Sequence, residues 1–276
     1  MRVVRPRDLR TALAAMEADV APTPLAGGTD LLVHWPVRPE AHDREYLDLQ
    51  GVGELAGVRW SGDALELGAM ASYWDVIVDR RAKAELPLLV RAARQVGAIQ
   101  IQSRGTWAGN VANGSPAADG VPVLMAYDAV LVLASRGGRR EVALDAYYTG
   151  YRTSVRRDDE LIVAIRIPRR PHSLERFVKV GPRRAQAIAK VGLAVARSVS
   201  GWRVVAASVA PTVRRCPSVE RLLDDGVAPR HSGDLEAALR SDVAPIDDLR
   251  STAAYRARVL ARVLFDAVGT GVPDSP

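Results

Sequence analysis

The sequence predicts an α+β protein of more than one domain, and three observations support this prediction. Segments typical of strands and helices alternate along the 276 residues, of which 48% are apolar, as in an ordinary globular protein. The length exceeds what one small core accommodates, so one large domain or two or three smaller ones are expected. Residues 168–172 contain two prolines and two arginines, and they form a predicted linker because they bury little apolar surface.

The part before that linker is predicted to begin with strand, helix, strand and loop. Asp8 is a suitable N-cap for a helix that has Leu9, Leu13 and Met16 on one face. Runs of apolar or alternating residues predict strands at 20–25, 46–49, 57–60, 64–68, 129–134 and 160–167. Helices are predicted at 72–80, 87–96 and 121–126.

The pattern of elements starts again after the linker. Strands are predicted at 175–180 and 204–209, and helices at 185–198, 219–223 and 249–268. The first of these helices is predicted because Ile188, Val191 and Val195 fall on one helical face. Residues 269–276 are expected to be a frayed end.

The composition excludes several classes of function. The 38 Lys and Arg against 32 Asp and Glu give a net charge of +6, but these basic residues are scattered and aromatic residues are scarce, so no nucleic-acid partner is expected. The single cysteine, Cys216, excludes an internal disulfide, a cysteine-ligated iron–sulfur cluster and a cysteine-cluster zinc site. The four histidines lack metal-ligand spacing, so no metal site is predicted.

Signals for membrane insertion or export are also missing from the sequence. No apolar run reaches the roughly 18 residues that a membrane span needs. The N-terminal sequence lacks the apolar segment of a signal peptide, so a cytoplasmic location is expected.

Two glycine-containing segments, both predicted to be loops, point to a ligand, and the first lies near the N-terminus. It consists of Leu25, Ala26, Gly27, Gly28, Thr29, Asp30, Leu31 and Leu32. Glycines allow the backbone to approach an anion closely, and successive amide N–H groups can point into one concavity. Thr29 adds a hydroxyl donor, and a helix that starts at the next turn favours phosphate at its positive end.

The second glycine-containing segment lies about eighty residues later. It consists of Thr106, Trp107, Ala108, Gly109 and Asn110, and continues through Asn113, Ser115 and Asp119. It offers a similar small-residue backbone with amide and hydroxyl donors, and its acidic end suits a ribose or ribityl hydroxyl. Two such segments facing each other predict a dinucleotide site that holds the pyrophosphate from both sides. Taken singly, a Gly-Gly-Thr-Asp segment is more often only a turn.

In this order and at these intervals, the segments resemble the FAD-binding medium subunit of the molybdenum hydroxylases. That family includes xanthine dehydrogenase and aerobic carbon monoxide dehydrogenase. The resemblance extends over nearly the whole chain. Besides the two glycine-containing segments, it rests on YYTGY at 147–151, ELIVAIRIP at 160–168, KVGPRRAQAIA at 179–189 and YR at 255–256.

The resemblance implies a three-part α+β chain. An FAD-binding domain of the vanillyl-alcohol-oxidase-like (PCMH) type would occupy residues 1–170, divided into a small part at 1–57 and a larger part at 58–170. A small α+β domain of the carbon monoxide dehydrogenase flavoprotein type would follow at 171–276.

The resemblance also implies roles for single residues. Both glycine-containing segments would contact the FAD pyrophosphate, mainly through their backbone. Asp119 would bind a hydroxyl of the cofactor, Ile162 would lie beside the flavin or adenine, and Lys179 would reach the cofactor from the C-terminal domain. Lys179 is one of only three lysines, and its ammonium can approach a flavin carbonyl or a phosphate as a compact charge. No catalytic side chain is implied, because FAD performs the chemistry.

The sequence departs from the family pattern in three respects. The second segment has Ala108 where the family has the first of two adjacent glycines, and Trp107 where a smaller aliphatic residue is expected. If position 108 required a positive φ, alanine would cost about 1 kcal/mol and weaken FAD binding. The third departure follows the first segment, where His34, Trp35 and Pro36 stand in place of the usual lysine.

Three functions follow from the resemblance and its departures. As a subunit, the chain would take electrons from a molybdenum cofactor on a large subunit, through [2Fe-2S] clusters on a small subunit, and pass them from FAD to NAD, a quinone or oxygen. Those clusters would lie on other chains, because one cysteine cannot hold them. The second hypothesis, favoured by the departures, is a stand-alone flavoenzyme that oxidises or reduces a small molecule. The third is a scaffold subunit that has lost the cofactor.

Overall fold

The computed structural model describes residues 2–34, 44–184 and 186–269. The N-terminal residues form a parallel sheet in the order β1-β3-β2, with strands β1 (Arg2–Val4), β2 (Thr23–Leu25) and β3 (Glu45–Asp48). Helices α1 (Leu9–Ala15) and α2 (Thr29–His34) follow β1 and β2. The first glycine-containing segment therefore joins the end of β2 to the start of α2.

Helix α1 has the cap and the buried face that the sequence predicts. The Asp8 carboxylate accepts a hydrogen bond from the Thr11 amide at 2.7 Å, which satisfies one of the free donors at the start of the helix. Leu9, Leu13 and Met16 are buried in the main hydrophobic core.

A five-stranded antiparallel sheet forms the larger part of the N-terminal half. In spatial order its strands are β4 (Val58–Trp60), β5 (Ala64–Gly68), β10 (Leu161–Pro168), β6 (Val130–Ser135) and β7 (Gly138–Ala143). A short hairpin precedes β10 and consists of β8 (Tyr148–Gly150) and β9 (Thr153–Ser154). The central strand β10 pairs with β5 and β6 and is almost entirely buried, so it forms the middle of the core.

Six helices connect β5 to β6. They are α3 (Tyr73–Val78), α4 (Arg80–Glu85), α5 (Pro87–Arg94), α6 (Ile99–Arg104), α7 (Trp107–Asn113) and α8 (Gly120–Ala126). The helix predicted at 72–80 ends early, because Asp79 accepts a hydrogen bond from the Ala82 amide at 2.8 Å and starts α4. The helices predicted at 87–96 and 121–126 are confirmed as α5 and α8.

The second glycine-containing segment is mostly the helix α7, where a loop was predicted from its small residues. Thr106 caps this helix, since its hydroxyl oxygen accepts a hydrogen bond from the Gly109 amide at 3.0 Å. Trp107 and Ala108 are buried. The small residues of this segment therefore serve close packing of a helix rather than an open loop.

The C-terminal part folds around a four-stranded antiparallel sheet, which confirms the α+β class. Its strands, in spatial order, are β11 (His172–Val180), β12 (Val191–Ser198), β13 (Gly201–Ala207) and β14 (Arg214–Arg215). Its helices are α9 (Pro217–Asp224), α10 (Glu236–Asp242) and α11 (Ala253–Val268). The strands predicted at 175–180 and 204–209 and the helices predicted at 219–223 and 249–268 are confirmed within a few residues. Of the predicted frayed end, residues 270–276 lie outside the described residues.

The helix predicted at 185–198 is wrong, because β12 occupies most of this range and residue 185 lies outside the described residues. Val191 and Val195 fit a helical face, but they also alternate on one face of a strand, where they pack with the C-terminal helices. Ala194 faces the other way, into the N-terminal core. A strand buried on both faces shows no polar alternation, so its apolar run is readily mistaken for a helix.

The C-terminal sheet docks onto the N-terminal half beside the second glycine-containing segment. The Ser208 amide donates a hydrogen bond to the Pro116 carbonyl at 2.8 Å. The Asp128 carboxylate forms ion pairs with Arg170 at 2.8 Å and with Arg203 at 2.7 Å. The predicted linker is thus a short connection between β10 and β11 at a packed junction.

Two kinds of feature are absent from the described part of the chain. None of the helices within residues 2–34, 44–184 and 186–269 combines the length and the apolar character that crossing a membrane requires. The same residues contain no group of three or more His, Cys, Asp or Glu side chains placed to hold a metal ion.

Candidate functional site

The first glycine-containing segment contacts the backbone that precedes the second. Gly28 has a φ of +73°, a left-handed conformation that favours glycine. A Cβ atom on Gly27 would lie 1.9 Å from the Arg104 carbonyl oxygen and 3.1 Å from the Gly105 Cα atom. No side chain fits between the two backbones there, so glycine at position 27 allows the segments to meet.

The turn between β2 and α2 presents unpaired backbone donors. Within the described part of the chain, the amide N–H groups of Ala26, Gly27 and Gly28 donate to no protein acceptor. All three residues are partly exposed. Consecutive amides of this kind form a concave site for an anion such as a phosphate group.

The other residues of the first segment fix its ends. The Leu25 carbonyl accepts a hydrogen bond from the Leu49 amide at 3.0 Å. The first turn of α2 consists of Thr29, Asp30, Leu31 and Leu32, and the Leu32 side chain is exposed. The Asp30 carboxylate accepts a hydrogen bond from the Asn113 side-chain amide at 3.0 Å. Side chains of the two segments therefore meet, as well as their backbones.

Most backbone donors of the second segment are used within the protein. The Trp107 amide donates to a main-chain carbonyl at 3.2 Å, the Gly109 amide to the Thr106 hydroxyl at 3.0 Å, and the Asn110 amide to the Thr106 carbonyl at 3.0 Å. Among the described residues, no acceptor receives the amide N–H of Thr106 or Ala108. These two amides at the start of α7 therefore remain available to a ligand.

The two departures within the second segment cause no backbone strain. Ala108 lies in the right-handed helix α7 and has no positive φ, so the backbone cost considered for alanine does not arise. The Trp107 ring is fully buried, with its centroid 4.9 Å from that of Tyr73, and it belongs to the core. Of the third departure, residues 35–36 lie outside the described residues.

The polar residues of α7 and of the turn to α8 lie in close contact with other parts of the protein. The Ser115 hydroxyl accepts a hydrogen bond from the Ala117 amide at 3.2 Å. The Asn110 Oδ1 atom is buried and has no partner among the described residues, and a Cβ atom on Gly120 would lie 2.9 Å from it. Glycine at position 120 therefore lets the start of α8 approach α7, which brings Asp119 next to the second segment.

Asp119 and Lys179 form an ion pair across the junction of the two halves. The Lys179 Nζ atom lies 2.6 Å from Asp119 Oδ2 and donates a second hydrogen bond to the Gln95 carbonyl at 2.9 Å. The Lys179 side chain is 6% exposed and that of Asp119 is 15% exposed. Burial raises the pKa of Asp119, and the adjacent Lys179 ammonium opposes that rise. Two residues predicted separately as cofactor ligands are thus partners of each other.

Ile162 lies in the middle of the five-stranded sheet. It pairs with Leu133 of β6, and its side chain is buried. The pairing of β10 with β6 is irregular between Ile162 and Ala164. Helix α7 packs on β10, the strand that contains Ile162.

Two groups at this site gave no signal in the sequence, and a third gave only a signal for burial. Gln95 and Arg104 act through main-chain carbonyls, which every residue type possesses. Tyr73 is buried on α3, and burial, together with the nearby Asp119 carboxylate, raises the pKa of its hydroxyl. Its sequence context indicates a core residue but not its proximity to a charged pair.

A depression of about 620 Å³ on the five-stranded sheet is separate from this site. None of its lining residues belongs to either glycine-containing segment. Arg59 pairs with Glu66 at 2.8 Å, and Arg166 pairs with Glu141 at 2.7 Å. These neighbouring opposite charges indicate a solvated sheet surface.

Two family models together match almost the whole chain. The model described as the FAD binding domain in molybdopterin dehydrogenase matches residues 1–170. The model described as the CO dehydrogenase flavoprotein C-terminal domain matches residues 176–270.

Individual relatives are similar to this chain over nearly its whole length. The carbon monoxide dehydrogenase medium chain of Hydrogenophaga pseudoflava is 30% identical over 253 residues, which cover 88% of this chain and 87% of that one. The glyceraldehyde dehydrogenase medium chain of Sulfolobus acidocaldarius is 29% identical, with 93% of each chain covered. A chain in the solved structure of reconstituted CO dehydrogenase from Oligotropha carboxidovorans is 27% identical, with a TM-score of 0.88 over 97% of this chain and 96% of that chain.

Proposed function

Because this chain belongs to the FAD-binding medium subunits of the molybdenum hydroxylases, with FAD as its cofactor, we propose that the backbone amides of residues 26–28, with those of Thr106 and Ala108, hold the FAD pyrophosphate. The contact of Gly27 with the backbone that leads into the second segment supports this, because it brings the parts of the chain that carry donors without protein acceptors close together. A pyrophosphate carries negative charge and several acceptor oxygens, which amides fixed in advance satisfy without rearrangement.

The remaining predicted residues have supporting roles in this proposal. Asp30 and Asn113 hold the two segments together, since their side chains bond to each other. The second segment is held in place by the burial of Trp107 and by the hydrogen bonds of Gly109, Asn110 and Ser115. Thr29 and Leu32, together with Leu25 and Leu31, shape the first segment around the free amides.

Lys179 and Asp119 are proposed to act at the flavin end of the cofactor. The Lys179 ammonium has three N–H donors, of which two bond to Asp119 and to the Gln95 carbonyl. The third donor is available to a flavin oxygen, while the free Asp119 oxygen is available to a cofactor hydroxyl. Ile162 contributes apolar surface beside the cofactor. FAD itself supplies the electron-transfer chemistry when bound.

The proposal also includes a division of the chain into domains. We assign an FAD-binding domain to residues 1–170, with parts at 1–57 and 58–170, and a C-terminal domain to residues 171–276. The separate sheets of these three parts and the ranges of the two family models support this division.

The chain is an oxidoreductase subunit, and its partners are part of the proposal. We assign it a large subunit with a molybdenum cofactor and a small subunit with [2Fe-2S] clusters, and NAD, a quinone or oxygen as the electron acceptor. Relatives named as medium chains support an assembly, and so does Cys216, the single cysteine, which is buried. A cytoplasmic location belongs to this proposal, since a free thiol persists in a reducing compartment.

No observation favours the stand-alone flavoenzyme. Two of the departures that motivated it, Ala108 and Trp107, are an ordinary helical residue and a core residue.

Titration of the purified full chain with FAD tests the proposed site. We expect flavin absorption bands and quenching of FAD fluorescence, with weaker binding by Lys179→Ala and Asp119→Ala. A wild-type chain that takes up no FAD would contradict the proposal. The assembly is tested by isolating the native protein, which we expect to co-purify with two further subunits; FAD as the only companion would contradict it.

A further inference from the structure

The Lys179 side chain extends from the C-terminal sheet and ends inside the N-terminal half. Its ammonium is held at two points, by Asp119 Oδ2 at 2.6 Å and by the Gln95 carbonyl at 2.9 Å. Only 6% of the side chain is exposed. Its positive charge therefore has a fixed location, unlike that of a surface lysine.

The carboxylate that holds this ammonium also balances its charge. Asp119 is 15% exposed, and burial alone disfavours its charged form. The Lys179 ammonium counteracts that effect, so each charge stabilises the other. At a distance of several ångströms, a pair of this kind presents far less field than either charge alone.

We propose that Asp119 is a positioning residue that holds the Lys179 ammonium and offsets part of its positive charge at the bound flavin, which lowers the reduction potential of the flavin. This inference rests on the proposed function, in which Lys179 reaches the cofactor. Reduction adds electrons to the flavin, so a nearby positive charge favours it and a nearby negative charge opposes it. The pair thus sets the potential through the balance of two opposite charges.

The pair is not the main connection between the two halves of the chain. Asp128 joins them through an ion pair with Arg203 at 2.7 Å, and the C-terminal sheet shares the main hydrophobic core. Loss of one charge in the pair is therefore expected to change the bound flavin more than the fold.

The test compares Asp119→Asn, Lys179→Gln and the double variant in the full chain loaded with FAD. Asparagine keeps the shape of aspartate and removes only its charge. The midpoint potential of the bound flavin is measured by redox titration, with the FAD dissociation constant and the melting temperature measured alongside. Arg170→Gln is the matched control, because it breaks an ion pair at the same junction away from Lys179.

We expect opposite shifts from the two single variants. At an effective dielectric of about 20, a unit charge within about 8 Å of a redox group changes its equilibrium by at least about tenfold. Asp119→Asn should favour reduced over oxidised FAD by about tenfold, which is about 30 mV upward for two electrons. Lys179→Gln should shift the potential downward. The potential of the double variant should lie between those of the two single variants, and Arg170→Gln should leave the potential unchanged.

Four outcomes would overturn the inference. If both single variants shift the potential in the same direction, or if neither shifts it while FAD remains bound, the pair has only a structural role. If Arg170→Gln shifts the potential as much as Asp119→Asn, the effect reports docking of the two halves rather than charge at the flavin. A wild-type chain that binds no FAD contradicts the proposed function and this inference with it, which distinguishes that failure from the others.

Discussion

Gly27→Ala is the substitution that separates the two glycine-containing segments most directly. The added methyl group would lie 1.9 Å from the Arg104 carbonyl oxygen and 2.7 Å from the carbonyl carbon. Ordinary contacts begin at 3.4 Å, so the two backbones must move apart by about 1.5 Å, the difference between these distances. Overpacking of this kind costs about 1–3 kcal/mol. Since the free amides are aligned by this contact, FAD affinity should fall at least about tenfold, or about 1.4 kcal/mol.

Two assays separate the loss of alignment from a general loss of stability. Urea unfolding measures the stability of the chain without FAD, and fluorescence quenching measures the FAD dissociation constant. Gly53→Ala is the matched control, because its added Cβ would have no atom within 4 Å and its φ is not positive; it should leave both values nearly unchanged. If Gly27→Ala binds FAD as tightly as wild type, the contact between the segments does not organise the pyrophosphate site, and the reasoning is refuted.

Further substitutions test neighbouring parts of the structure. Gly28→Ala should lower the free energy of unfolding by about 1–2 kcal/mol in urea, because alanine is strained at the φ of +73° that position 28 adopts; an unchanged value would contradict that conformation. Ala108→Gly should lower stability by about 0.5–1 kcal/mol without tightening FAD binding, because position 108 is helical, and tighter binding would contradict this. The Arg140 guanidinium holds the pKa of Glu160 below its usual range, so the stabilisation by the ionised Glu160 is present above about pH 4.3 and is lost as pH falls through the lower folded pKa. Glu160→Gln should therefore cost about 2 kcal/mol at neutral pH in urea unfolding, with a difference from wild type that shrinks toward acid; a difference that does not depend on pH would contradict the pairing. Cys216 is fully buried, and burial raises the pKa of its thiol. A thiol reagent should therefore react with it only after the chain is unfolded in guanidinium. Rapid labelling of the native chain would contradict the placement of Cys216 in the core.

Local signals in the sequence were sufficient where one residue type has one physical use. Asp8 at a helix start predicted a cap, and the cap is present. Gly27 and Gly28 predicted a backbone that approaches an anion closely; in the structure Gly27 lies against the Arg104 carbonyl, and Gly28 has a φ of +73°. The cap depends on only a few neighbouring residues, whereas the contact of Gly27 required the structure.

Elements that depend on tertiary burial were harder to predict. The strand β12 was mistaken for a helix because Val191 and Val195 fit either period, and only packing on both sides decides between them. The helix α7 was taken for a loop, since its small residues are typical of both loops and close helix packing. In each case the deciding contacts come from segments that are distant in the sequence.

The candidate site shows the same division. Asp119 and Lys179 were recognised as single residues, but their pairing joins positions sixty residues apart. The Gln95 carbonyl completes the arrangement and could not be found from residue type, because it is a main-chain group. Predictions from sequence therefore identified the chemical groups, while the structure determined which of them are already bonded to each other.

The central claim is that the FAD pyrophosphate binds to the free amides where the two segments meet. A crystal structure of the FAD-loaded chain tests this most directly. We predict phosphate oxygens within about 3.2 Å of at least two amide nitrogens among those of residues 26–28, Thr106 and Ala108. A pyrophosphate bound elsewhere, with those amides hydrogen-bonded to water, would contradict the claim.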